Sequence, residues 1–420
     1  MKYHMETFGC KSNQYESQAI REALRAAGHS ETAAVADADV YIVNTCGVTG
    51  RAGASCRNAI RKAVRARPGI GVVITGCGVD LDETWPELPS PPILVPNAKK
   101  HAIADAVALF AGAAEEKSWN AVPDDRFNLA ISRFEGHTRA FLKVQDGCDN
   151  FCAYCAVPYA RGVPESRVPE AVFAEAERLT AAGHAELVLT GINIGAYEYN
   201  GLSLAALVAK LAETKGLERL RLGSVEPPQL TEELVRAMAD NPRICPHVHL
   251  PLQSGDDEIL RAMRRRYTAD DFLAKIELLN RYLDRPAVST DVIVGFPGEN
   301  EGSAEKTQAL CGRAGFSRMH VFLFSARPGT PAAAMKQTST DAEIERRKTS
   351  LIRLGKELAE RYASLCVGLR ERVIVERSGG GLCDRYVRVA LSEPSPPGGA
   401  VGVAITGANG AELAADPLRM

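Results

Sequence analysis

The N-terminal third of the chain alternates short apolar runs with stretches in which hydrophobic residues recur every three or four positions. Tyr3–Phe8, Val40–Asn44 and Val72–Thr75 read as buried strands, with Gln14–Ala27 and Cys56–Ala66 as helices between them. That alternation predicts βαβ units and a parallel sheet. From Arg139 to about Tyr362 it resumes with the strands Phe141–Val144, Glu186–Leu189, Arg219–Leu222, His247–Leu250, Val288–Val294 and His320–Phe324. Parallel strands with helical returns predict a full or partial α/β barrel, with its site at the carboxyl ends of the strands. A long charged helix, roughly Asp341–Leu365, follows. Beyond it Arg370–Glu376, Tyr386–Leu391 and Ala400–Ile405 are short and rich in β-branched residues, and Gly379-Gly-Gly and Pro394-Ser-Pro-Pro-Gly-Gly punctuate them. This tail predicts a small antiparallel β-barrel. The fold class is therefore α/β: an N-terminal parallel-sheet domain over 1–125, a central partial (β/α)6 barrel over 136–365 and a C-terminal barrel over 366–420. The segment Ala111–Thr138, with Glu115-Glu-Lys and Pro123-Asp-Asp, loses periodicity and carries the first boundary.

With 420 residues, 45% hydrophobic and 24% charged, the chain has the profile of a multi-domain globular protein. No apolar run approaches the roughly 18 residues of a membrane span, and the N-terminus lacks an apolar signal core, so the expectation is a cytoplasmic protein without a membrane segment. A formal net charge of −2 gives no global attraction to phosphate. Nucleic-acid binding would have to rest on local patches. Arg51–Arg67 carries six basic residues and no acidic one, with Arg57, Arg61 and Arg65 spaced to share a helical face; Arg264, Arg265 and Arg266 form a second run. Charge runs are as often plain solvated faces.

The cysteines change the picture most. Eleven of them, spread thinly over a long chain, do not form a disulfide framework. Cys148, Cys152 and Cys155 make a C-x₃-C-x₂-C triplet directly after the strand Phe141–Val144. Three thiolates on one tight loop suit three irons of a [4Fe–4S] cube and leave the fourth iron open, whereas structural zinc takes four protein ligands. A zinc knuckle or incidental core cysteines are the bland alternative. Cys10, Cys46 and Cys77 each follow one of the N-terminal strands, and ligands of open α/β sheets bind outside those strand ends. They read as a second cluster site, against the alternative of small buried hydrophobes. Cys56, Cys245, Cys311, Cys366 and Cys383 read as ordinary cysteines, and the eight histidines show no metal-binding spacing.

The triplet, with Tyr154 before its last cysteine, resembles the hallmark of the radical-SAM superfamily. That resemblance implies that an S-adenosylmethionine chelates the open iron and is cleaved to an adenosyl radical, with Cys148, Cys152 and Cys155 as catalytic ligands and Tyr154 near the adenine. Strand-end turns similar to the superfamily's cofactor supports are Thr190, Gly191 and Asn193; Ser224 and Glu226; Gln253; and Gly295. Any one of them is as easily a plain strand-to-helix turn. The segments Thr7-Phe-Gly-Cys-Lys-Ser-Asn-Gln-Tyr-Glu-Ser17, Asn44-Thr-Cys-Gly-Val-Thr49 and Thr75-Gly-Cys77 resemble the motifs of the methylthiotransferase family, and the tail resembles its RNA-binding TRAM barrel. Membership would imply two [4Fe–4S] clusters, the second held by Cys10, Cys46 and Cys77, and two S-adenosylmethionine molecules per product. The substrate implied is a tRNA anticodon stem-loop, whose unstacked bases can enter a pocket, and the reductant a one-electron donor such as a flavodoxin or ferredoxin. The words Val157-Pro-Tyr-Ala-Arg-Gly162 and Leu189-Thr-Gly-Ile-Asn-Ile-Gly-Ala-Tyr197 look most like the branch acting on N6-threonylcarbamoyladenosine at position 37. Branches acting on isopentenyladenosine or on a ribosomal-protein aspartate, and a non-enzymatic zinc-dependent RNA-binding protein, remain alternatives. Lys11-Ser-Asn and Gly162-Val-Pro-Glu-Ser-Arg167 depart from the family's usual words. Oligomeric state is not encoded legibly.

Overall fold

A computed structural model describes residues 1–47, 50–81, 84–112, 120–376 and 379–418. Val48 and Thr49 of the second motif, and Glu115–Lys117 of the boundary segment, lie outside the described residues. The chain divides into two compact units: Met1–Glu135 with Asp146–Glu165 and Ser325–Ala333, and Gly136–Gln145 with Ser166–Phe324 and Ala334–Met420. Both cysteine triplets fall in the first.

In the first unit, strands Lys2–Thr7, Val40–Thr45 and Gly71–Gly76 lie parallel, flanked by the short edges Ser30–Glu31 and Ile93–Val95. The central two are buried along their whole length, as continuous Val/Ile runs between two helical layers must be. One face packs on Lys11–Ala26 and Ile103–Ala108 through Tyr3, Met5, Ile20, Leu24, Ile42, Val73 and Ile103; the other packs on Gly50–Ala66 through Tyr41, Val43, Ile60, Ile74 and Ala63. The spatial order runs edge, first, third, fourth, fifth strand, so the chain reverses its winding between Lys2–Thr7 and Val40–Thr45. Such a switch point opens a crevice at the carboxyl ends.

In the second unit, Arg139–Lys143, Glu186–Thr190 and Arg219–Arg221 form one parallel sheet, and His247–His249, Ala287–Val294 and Arg318–Leu323 another. Parallel bridges Leu220↔Ile244 and Ser224↔His249 join them into one curved six-stranded layer, the partial barrel expected. Its helices are capped as their sequences dictate: Thr268 with Asp271, and Thr340 with Glu343, close capping boxes that start Ala269–Tyr282 and the long Asp341–Leu365. The tail, Arg370–Val375, Gly380–Cys383, Arg388–Leu391, Ala400–Asn409 and Glu412–Pro417, closes into a barrel around Val373, Val389, Val403, Ile405 and Leu413. It is not antiparallel throughout: Arg388–Leu391 and Glu412–Pro417 close it in parallel, because the intervening strand Ala400–Asn409 pairs with Arg370–Val375 rather than Arg388–Leu391 and returns the chain in the same direction.

This barrel is bolted to the central one. Glu186 accepts from Arg219 at 2.6 Å and from Arg221 at 2.8 Å, all three fully buried, and the same arginines reach Asp384 and the carbonyls of Arg372, Leu382 and Cys383. Burial pushes the Glu186 carboxyl up, but Arg219, Arg221 and Arg139 overrule it and hold it down at about 2.

Candidate cluster sites and their surroundings

The cysteine loop is built by its glycine and its aromatic residues. Gly147 sits at φ 75°, and a methyl group there would stand 1.9 Å from the Val163 carbonyl oxygen, so only glycine lets the chain turn into Cys148. The Cys148 N–H donates to the Gly162 carbonyl at 2.9 Å, and the Cys155 N–H to that of Cys152 at 3.0 Å. Phe151, at φ 44°, meets Tyr159 edge to face at 5.6 Å, both largely exposed. Cys148 and Cys155 are partly exposed and Cys152 is buried. The Asn150 N–H points at the Cys148 sulfur at 3.5 Å, a donor that suits a ligating thiolate. Tyr154 is half-buried in the same loop.

The second triplet is assembled by polar side chains that tie strand ends together. Asn13, at the start of its helix, donates to the carbonyls of Phe8 at 2.7 Å and Thr45 at 2.9 Å, fixing the exits that lead to Cys10 and Cys46. Thr45 donates to the Thr75 carbonyl at 2.6 Å and accepts from the Gly78 N–H at 3.1 Å, fixing the exit to Cys77. A methyl group on Gly9 would lie 2.8 Å from Cβ of Cys46, and one on Gly47 would lie 3.3 Å from Cβ of Cys77. The switch-point crevice thus gathers all three segments. Among the described residues, no three His, Cys, Asp or Glu side chains surround a point where one metal ion would sit. A four-iron cube is held at its corners, not at a point, and two all-cysteine triplets are the donor chemistry it takes.

Beside Cys77 lies a buried ionic cluster. Arg161, from the short helix Val157–Arg161, donates to Glu16 at 2.8 Å, to Asp146 at 3.0 Å, to Asn13 at 2.7 Å and to the Cys77 sulfur at 3.3 Å. Lys100 pairs with the other side of Glu16. Asn97 donates to Asp80 at 2.7 Å, with the Cys77 sulfur at 3.8 Å. Burial pushes Asp80 up to about 6, against the Asn97 N–H, Lys100 and Arg161, which pull it down. Burial likewise lowers Lys100, which Glu16 offsets only in part. Arg161, Lys100, Asn97, Glu16 and Asn13 were not singled out from sequence.

Within the second unit, the strand-end residues occupy the expected turns. Gln145 accepts from the N–H groups of Ile192 at 3.1 Å and Asn193 at 2.7 Å, and both polar atoms of the buried Asn193 carboxamide lack a partner among the described residues. Thr190 is buried beside it and Ser224 is exposed. Gln253 holds φ 64°, uncommon for a residue with a side chain and found where backbone strain serves a site. The Gly295 N–H donates to Glu299 at 2.6 Å. Glu226 is paired with Arg265, whose side chain is nearly buried over the Tyr267 ring, so the arginine run is not a uniform basic face. Arg264 and Arg266 are exposed. Arg57, Arg61 and Arg65 share Gly50–Ala66, with Arg61 and Arg65 exposed and Arg57 half-buried.

Residues 142–311 match the Radical SAM superfamily and residues 2–87 match Uncharacterized protein family UPF0004. The chain is 37% identical over 90% of its length, and 87% of the relative's, to a threonylcarbamoyladenosine tRNA methylthiotransferase MtaB of Chlamydia pneumoniae. It is 35% identical to the MtaB of Thermotoga maritima over 89% of its own length and 86% of the relative's. A tRNA-2-methylthio-N(6)-dimethylallyladenosine synthase of Cereibacter sphaeroides is 34% identical over 99% of this chain and 98% of its own. The fold is shared with the radical S-adenosylmethionine methyltransferase TsrM of Kitasatospora setae, at TM-score 0.58 and 14% identity, over 88% of this chain and 76% of that one. The chain belongs to the radical-SAM tRNA methylthiotransferase family. It is accordingly a transferase whose cofactors are [4Fe–4S] clusters, two in this family, and S-adenosylmethionine. Family membership sets aside the zinc-dependent, non-enzymatic reading. No helix among the described residues is long and apolar enough to cross a membrane.

Proposed function

We propose that the chain converts N6-threonylcarbamoyladenosine at position 37 of tRNA to its 2-methylthio derivative. The observation that carries this reading is the co-location of the two cysteine triplets in one compact unit, in a chain 35–37% identical to enzymes named for that nucleoside. C2 of adenine has neither an acidic proton nor a leaving group, so polar methyl transfer would be a poor route. When bound, the clusters supply one electron for reductive cleavage of S-adenosylmethionine at one site and an open iron for sulfur at the other.

The residues divide the remaining work. Cys148, Cys152 and Cys155 hold the cluster that cleaves S-adenosylmethionine, and Cys10, Cys46 and Cys77 the second. Thr190, Gly191, Asn193, Ser224, Gln253 and Gly295, with Tyr154, contact S-adenosylmethionine; the unpartnered Asn193 carboxamide supports this most directly. Glu226 orients Arg265. Arg57, Arg61, Arg65, Arg264 and Arg266 contact the phosphates of the anticodon stem-loop, and a flavodoxin- or ferredoxin-type donor supplies electrons. Two S-adenosylmethionine molecules are consumed per product.

Reconstituted chain incubated with tRNA bearing either threonylcarbamoyladenosine or isopentenyladenosine tests the substrate. Methylthiolation of the first and not the second is expected; the reverse preference would transfer the chain to the other branch, which the dimethylallyladenosine relatives represent at similar identity.

A further inference from the structure

The geometry points to Arg161 as a positioning residue shared by the two cluster sites, holding its Nε–H on the sulfur of Cys77. This deepens the proposal that Cys10, Cys46 and Cys77 hold a cluster, and rests on it.

Arg161 lies six residues beyond Cys155, on the short helix that closes the first cysteine loop, and the Gly162 carbonyl that follows it accepts from the Cys148 N–H. It is nevertheless spent on the other triplet. Its Nε is 3.3 Å from the Cys77 sulfur, and its two terminal nitrogens engage Asn13, Glu16 and Asp146. Asn13 is the side chain that ties the exits to Cys10 and Cys46. One guanidinium therefore touches, directly or through the Asn13 side chain, every segment that brings a ligand to the second cluster, and its backbone belongs to the loop that holds the first. With an exposure of 1%, Arg161 is too deep to meet RNA. Glu16 and Asp146 balance its charge along with that of Lys100 and, with Asn13, take the terminal N–H groups. The fifth donor, Nε–H, is buried and must also be paired, and the acceptor it meets is the Cys77 sulfur. Only a planar fork with five donors can make this set of hydrogen bonds at once; a lysine could not. Hydrogen bonds and charge next to a ligand sulfur are among the levers that set a cluster's reduction potential.

The test uses the full chain with Cys148, Cys152 and Cys155 replaced by alanine, so that only the second cluster loads, grown with arginine labelled with ¹⁵N at the guanidinium. The reduced cluster is expected to show a ¹⁵N hyperfine coupling in pulsed electron paramagnetic resonance. Arg161→Gln in the same background is expected to abolish the coupling and move the midpoint potential to more negative values, by about 59 mV if the reduced-to-oxidised ratio falls tenfold in a one-electron step. The labelled parent decides the matter even if Arg161→Gln does not fold. A cluster that loads without coupling overturns the assignment of Arg161 and leaves the two-cluster reading standing. Failure to load any cluster, while the chain with Cys10, Cys46 and Cys77 replaced by alanine loads one, overturns both.

Discussion

Gly9 faces Cys46 so closely that a methyl group on it would stand 2.8 Å from Cβ and 3.0 Å from the sulfur of that cysteine. Gly9 also holds φ 106°, a region costly to any other residue. Gly9→Ala should therefore displace the segment carrying Cys10 while leaving intact the Cys148 loop, whose turn is set by Gly147 and Gly162. Iron is expected to fall from about eight to about four per chain, the contents of two cubes and of one. Cleavage of S-adenosylmethionine should persist while methylthio product disappears. Full iron content in a folded Gly9→Ala chain would contradict the placement of the second cluster.

Glu186 ties the acid stability of the second unit to the bolt between its two barrels. Its folded pKa of about 2 lies below the ordinary 4.5, so its contribution is complete above pH 4.5 and is lost as pH falls from there toward 2. Glu186→Gln leaves two buried arginines without their carboxylate and should cost about 3–5 kcal/mol at neutral pH. That deficit should shrink between pH 4.5 and 2. Urea unfolding of both proteins across this range checks it; a deficit independent of pH would show that Glu186 is not the group responsible.

The cysteines separate by burial in a way that alkylation of the metal-free chain can read. Burial pushes Cys245 and Cys311 up to about 12 and Cys366 up to about 11, and raises Cys383 further. Inaccessible thiols of that kind stay unreactive. Iodoacetamide at pH 8 is expected to label Cys10, Cys148 and Cys155 first and to spare these four until the chain unfolds. Early labelling of Cys311 in the native chain would contradict the packing of Glu301–Ala314.

Much of this was legible in the sequence because it was written locally. Val40–Thr45 and Gly71–Gly76 are uninterrupted apolar runs buried on both faces, and their cysteines follow at once, so the strands and the thiols at their carboxyl ends could be read together. Ser30–Glu31 and Ile93–Val95 were missed because two or three residues carry no periodicity. Arg161 was missed for a different reason. Its partners Asn13, Glu16 and Cys77 lie more than 80 residues away in the chain, so the word Val157-Pro-Tyr-Ala-Arg-Gly162 marks the segment without showing what its arginine meets. The reading of Arg264–Arg266 as one basic run failed at its middle member for the same cause, since Glu226 is remote in sequence.

The basic residues on Gly50–Ala66 supply the RNA prediction. Replacing Arg57, Arg61 and Arg65 by alanine should weaken tRNA binding at all sequences alike and reduce the slope of log affinity against log salt by about 0.7 for each phosphate that is no longer neutralised. Arg265→Ala should instead lower thermal stability and leave that slope nearly unchanged, because its charge is already committed to Glu226. Filter binding over a salt series distinguishes the two. Equal slopes for the triple variant and the parent would remove this helix from the RNA surface.

The most direct measurement is nucleoside mass spectrometry of total tRNA from a deletion strain carrying the parent chain, the chain with Cys148, Cys152 and Cys155 replaced by alanine, or the chain with Cys10, Cys46 and Cys77 replaced by alanine. The 2-methylthio derivative of N6-threonylcarbamoyladenosine is expected to vanish on deletion, to return with the parent and to remain absent with either variant, while the unmethylthiolated nucleoside accumulates. Undiminished methylthio product in the deletion strain, or its return with either triple variant, would contradict a two-cluster enzyme acting on this nucleoside.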